Sequence, residues 1–153
     1  MTLSPKCTFM DMILLKDLEA LMKKIFIPSI PINFETDYQR IVKRITKWIS
    51  ADEFSLISGF FHQTLKEKIS SYVRIAFFDS GTYQSSDLAF KFCENRVRPG
   101  TIFILDDYFS YRDSKEKGVK GAFNEFVFRN KVDYRYIDSY GMGGVLLIIN
   151  TIK

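Results

Sequence analysis

The sequence has few of the residues that usually announce a chemistry: one histidine, two cysteines, one tryptophan and four prolines among 153 residues. Cys7 and Cys93 are too few and too far apart for a disulfide framework or a thiolate metal cluster, and a reduced, cytoplasmic setting is the expectation. No apolar run is long enough to cross a membrane. The stretch from Phe9 to Ile27 comes nearest, but Asp11, Lys16, Asp17, Glu19, Lys23 and Lys24 interrupt it, which excludes a spanning helix and a signal peptide. Nor is there a block of one charge: 22 basic residues are interspersed with 18 acidic ones, leaving a net charge of +4. Without an aromatic-plus-basic motif, a nucleic-acid partner is not expected. Internal repeats and low-complexity tracts are also missing. What is present, 46% hydrophobic and 16% aromatic residues, is enough for one globular core.

Leu14, Leu18, Leu21, Met22 and Ile25 recur at helical spacing, so the amino-terminal stretch reads as an amphipathic helix. Pro28 and Pro31 end it and demote Ile25 to Ile32 to an edge or a linker. A second helix, capped by Thr36 or Asp37, carries Tyr38, Ile41, Val42, Ile45, Trp48 and Ile49 on one face. Arg40, Lys43, Arg44 and Lys47 line its other side as a solvated face. Strand and helix then alternate. Phe54 to Phe61 reads as a strand, Thr64 to Ser70 as a short helix, and Val73 to Phe78 as an apolar strand. A helix capped by Ser85 or Ser86 runs to Val97, and Pro99-Gly100 turns the chain into the strand Thr101 to Leu105. After the loop Tyr108 to Lys117 comes a helix with Val119, Ala122, Phe123, Phe126 and Val127 inward. Tyr134 to Asp138 and Val145 to Asn150 close the chain as two strands around Tyr140-Gly141-Met142-Gly143-Gly144. Apolar strands divided by amphipathic helices predict an α/β domain, and the last two strands predict an antiparallel hairpin.

In open α/β sheets, ligands bind outside the carboxyl ends of the strands. Asp79 follows one apolar strand, and Asp106 with Asp107 follows another. On neighbouring strands, roughly 5 Å apart, the three carboxylates would converge. Clustered carboxylates raise one another's pKa unless a cation shares the site, and hard oxygen ligands suit Mg²⁺. Asp106 and Asp107 could equally terminate a strand and cap the next turn. His62, the lone histidine, invites reading as a base, but a polar residue beside a helix start is ordinary. The Gly141-x-Gly143-Gly144 run lies between two strands, where hairpin geometry explains glycine better than phosphate binding does.

Taken in order, the segments Gly59-Phe60-Phe61-His62-Gln63-Thr64-Leu65, Phe77-Phe78-Asp79-Ser80-Gly81-Thr82-Tyr83-Gln84-Ser85, Leu105-Asp106-Asp107-Tyr108 and Tyr140-Gly141-Met142-Gly143-Gly144 form a pattern. From about Asp37 to Asn150 the chain resembles the macrocin O-methyltransferase-like family of class I S-adenosylmethionine-dependent enzymes. The resemblance implies a Rossmann-like sheet with helices on both faces, S-adenosylmethionine and Mg²⁺ as cofactors, and a sugar or natural-product-like hydroxyl as substrate. It implies Asp79, Asp106 and Asp107 as metal ligands, Asp79 as proton acceptor, and Gly59 and Phe60 near the adenine.

The chain departs from the family pattern in two places. Gly81 stands where the family carries a second acid, in an Asp-x-Asp-x-Tyr pattern. No Gly-x-Gly turn follows an upstream strand, so the first two, central strands of the family's sheet are expected to be missing. Residues 1–36 then form an atypical helix and linker, and 37–153 the carboxyl-terminal part of a methyltransferase-like domain, a truncated form of the whole. Removing central strands leaves backbone groups unpaired, which predicts a homo-oligomer or a complementing chain at the exposed edges. The competing expectation is a non-catalytic remnant or interaction module lacking the cofactor half. A nucleic-acid-binding domain, the third reading, rests only on the basic balance and one helix face.

Overall fold

The computed structural model describes residues 12–15, 38–52, 54–57, 61–65 and 72–153. The chain divides into two units, Met1–Phe60 and Phe61–Lys153.

In the first unit, strand β1 (Met12–Leu15) pairs antiparallel with β2 (Phe54–Ile57), Met12 opposite Ile57 and Leu15 opposite Phe54. Leu14 and Leu15 therefore belong to a strand, not to the helix their spacing predicts. Four consecutive apolar residues carry no period of their own, and pairing with β2 satisfies their backbone groups. Helix α1 (Tyr38–Ile45) ends before the predicted stripe does. Trp48 lies in the turn beyond it, its N–H bonded to the Ile45 carbonyl at 2.9 Å, and is 60% exposed. The predicted caps Thr36 and Asp37 lie outside the described residues, as does most of the predicted helix Thr64 to Ser70.

The second unit opens with the single turn α2 (Phe61–Thr64), followed by β3 (Ile75–Phe78), α3 (Tyr83–Cys93), β4 (Ile102–Leu105), the short turn α4 (Ser110–Asp113), α5 (Gly118–Arg129), β5 (Asp133–Tyr140) and β6 (Gly144–Thr151). Its sheet has the order β3-β4-β6-β5. β3 runs parallel to β4, while β6 is antiparallel to both β4 and β5. This is a mixed α/β fold with a four-stranded sheet ending in the expected antiparallel hairpin. β3 stands at one edge of the sheet, with no described strand on its far side.

Alternation along the strands assigns the faces. Phe78, Phe103, Leu105, Val145, Leu147 and Ile149 point to one side and are buried with Phe90 and Cys93 of α3 and Val119, Ala122, Phe123 and Phe126 of α5. Aromatic rings dominate this core. Phe90 stacks on Phe78 with centroids 4.2 Å apart and on Phe126 at 5.4 Å. The other face carries Ile75, Phe77, Ile102, Ile104, Leu146 and Ile148, none fully buried. A polar seam joins the helices: the Arg129 guanidinium reaches Asp87 on α3 at 3.3 Å and Glu94 just beyond it at 3.4 Å.

Candidate functional site

Parallel pairing of β3 with β4 sets Phe78 opposite Leu105, and the Asp106 N–H extends the ladder by donating to the Phe78 carbonyl at 2.9 Å. Asp79 and Asp106 therefore leave the sheet side by side. Burial, then the charges of Asp106 and Asp107, push the Asp79 carboxyl above its ordinary value of 3.8.

Each acid has a different setting. The loop after Asp79 is pinned by a buried hydrogen bond between the hydroxyls of Ser80 and Ser86. Gly81 takes a φ of +58° there, so the departure from the family pattern falls where glycine is conformationally at ease. Thr82 caps α3, its hydroxyl accepting the Ser85 N–H at 3.3 Å. The cap thus lies three or four residues earlier than the predicted Ser85 or Ser86. Asp106 accepts a hydrogen bond from the Tyr140 hydroxyl at 3.1 Å. Asp107, at φ +53°, turns the chain away from β4; its carbonyl accepts the Ser110 N–H at 3.0 Å and its carboxylate the Ser110 hydroxyl at 3.2 Å.

Tyr140 is the residue that the sequence reading passed over. It ends β5 opposite Gly144, and a Cβ at Gly144 would collide with its ring. Absence of a side chain at 144 is what lets the ring lie across the hairpin and present its hydroxyl to Asp106. Burial, the Asp106 charge and the hydrogen bond to it all raise the phenol's pKa, so it remains a donor. An aromatic residue facing glycine across a predicted hairpin is the signal that could have found it.

The loop after β4 borders the same end. The Phe109 N–H donates to the Gly143 carbonyl at 3.2 Å, and the Tyr111 hydroxyl to the Gly81 carbonyl at 2.9 Å, tying the loop to the hairpin and to the β3–α3 loop. Lys120 bonds Asp113 and lies over the rings of Tyr108 and Phe109, 5.0 and 5.6 Å from their centroids. Phe109 and Tyr111 remain about half exposed, at 45% and 50%.

Among the described residues, no group of three or more His, Cys, Asp or Glu side chains has the geometry to hold a metal ion. The structure thus does not gather Asp79, Asp106 and Asp107 into the ligand set that the resemblance implies. Tyr140 engages one of these acids and the Asp107–Ser110 turn another. Gly59 and Phe60, expected beside the adenine, lie outside the described residues. His62 is exposed on α2. No described helix is long and apolar enough to cross a membrane.

No family model matches the sequence, and no curated protein matches it. Among solved structures, the chain is similar to the O-methyltransferase NovP, with a TM-score of 0.48 and 21% identity over 60% of this chain and 35% of that one. The chain spans about a third of that protein's length.

Proposed function

We propose that this chain carries the acceptor side of an S-adenosylmethionine-dependent O-methyltransferase crevice acting on a hydroxyl of a sugar or natural-product-like small molecule. One observation supports this above others: Asp79 and Asp106 emerge together from paired parallel strands, in a sheet that closes with the hairpin bearing Tyr140. The order of motifs along the sequence agrees with it. When bound, S-adenosylmethionine supplies a methyl group on a positively charged sulfur. Asp79 is suited to take the acceptor's proton, because a carboxylate with a raised pKa is a stronger base than an ordinary one. The acceptor oxygen, held beside it, becomes the nucleophile. The exposed rings of Phe109 and Tyr111 offer apolar surface at the rim for the body of such a substrate. Mg²⁺ belongs to the family resemblance, but the described residues do not form its site, so no step here runs through a cation.

Calorimetric titration of the full chain with S-adenosylmethionine, with and without Mg²⁺, tests the proposal. Saturable heat is expected, and no heat under either condition would overturn it.

A second reading, a module that binds another chain, is favoured by the position of β3. It ends the described sheet with Phe77 56% exposed, and an edge strand is a template for pairing. Light scattering discriminates: a monomer at all concentrations removes self-pairing through that edge.

A further inference from the structure

Acidic side chains gathered at a strand end need a partner for their charge. The Tyr140 hydroxyl donates to Asp106 from a ring seated on Gly144, and the Ser110 hydroxyl donates to Asp107. The three acids do not close around one point as ligands of a divalent ion. We propose that the Tyr140 hydroxyl, instead of a divalent cation, compensates the Asp106 carboxylate, so that the acid end of this crevice is organised by a phenol. The geometry of the hairpin carries this assignment; its meaning for methyl transfer rests on the crevice reading given above.

The chemistry is consistent at each point. A phenol is a neutral donor, and its hydrogen bond engages one oxygen of the Asp106 carboxylate. A hydrogen bond to a charged acceptor is stronger than one between neutral groups. Holding one oxygen of Asp106 fixes its carboxylate at the strand end where Asp79 also leaves the sheet. Gly81 fits the same picture: the position where the family pattern has a further acid carries no charge here that would need a cation. Tyr140 is thus a positioning residue, acting through Asp106.

Two measurements on the full chain test this. The first is a titration of Mn²⁺ followed by electron paramagnetic resonance. No saturable uptake is expected up to about 1 mM, the range of weak all-oxygen sites. Uptake of an ion that Asp79→Asn or Asp106→Asn abolishes would overturn the assignment. The second is a double-mutant cycle read by thermal melting. Tyr140→Phe keeps the ring and removes only the hydroxyl. It is expected to lower Tm by roughly 3 °C in the wild-type background and by much less when Asp106→Ala has removed the acceptor. Equal losses in both backgrounds would show a structural ring with no coupling to Asp106 and would overturn the proposal. Titration with S-adenosylmethionine bears on the crevice reading alone, so the two can fail separately.

Discussion

Replacing Gly144 by alanine tests the arrangement at its narrowest point. The Gly144 backbone is not among the positive-φ positions, so alanine is free of conformational strain and only space opposes it. Space is lacking: the new Cβ would lie 2.8 Å from Cε2 of Tyr140, with Cζ and Cε1 nearer still. Carbon atoms prefer roughly 3.5–4.0 Å, so the ring must move by about 1 Å and carry its hydroxyl off Asp106. Overpacking of this kind costs about 1–3 kcal/mol. For a chain of this size that is a fall in Tm of roughly 2–12 °C. The assay is a circular-dichroism melt of Gly144→Ala in two backgrounds. With Tyr140 present the loss should appear. With Tyr140→Ala it should vanish, because nothing then occupies the space and alanine suits a strand better than glycine. A Tm loss of the same size in both backgrounds would refute the claim that Gly144 exists to seat Tyr140.

Other consequences follow from the core and the titrating groups. Phe90→Ala removes a fully buried ring stacked on Phe78 and Phe126, and urea unfolding should show a loss of about 3–5 kcal/mol. Because the Asp79 pKa is raised in the folded chain, its stabilising contribution is complete below the ordinary value of 3.8 and is lost as pH rises through the folded value. The difference in Tm between Asp79→Asn and wild type should therefore grow more positive across that window, and a flat difference would count against it. Burial pushes the Cys93 thiol to about 12, so mass-spectrometric labelling at pH 8 should leave Cys93 unmodified until the chain is denatured. Gly121→Ala would press a Cβ to 2.5 Å from the Glu116 carbonyl oxygen, and a clear drop in Tm is expected because backbone must yield.

Much of the second unit was legible in the sequence, for physical reasons specific to it. Val73 to Phe78 and Thr101 to Leu105 are continuous apolar runs flanked by turn residues, and the structure forms strands at Ile75–Phe78 and Ile102–Leu105. The glycine run at 141–144 marked the hairpin between β5 and β6. The placement of Asp79 beside Asp106 followed from strand adjacency alone. The first unit was harder to read. Met12 to Leu15 is too short to show a period, and only its pairing with Phe54 to Ile57 makes it a strand. Trp48 fitted a helical stripe but lies past the end of its helix. Thr82 was missed as a cap because Ser85 and Ser86 compete for the role; Ser86 is instead buried against Ser80. Tyr140 was missed because the aromatic–glycine pairing across the hairpin went unread and its acceptor is a carboxylate 34 residues away.

The location of the crevice is the central claim, and an amide-resolved nuclear magnetic resonance titration with S-adenosylmethionine tests it most directly. Saturable shifts are expected at Asp79 to Gly81, Asp106 to Phe109 and Tyr140 to Gly144, the three segments that meet at the carboxyl ends of β3 and β4. Shifts confined to other parts of the chain, or none at saturating ligand, would contradict the account.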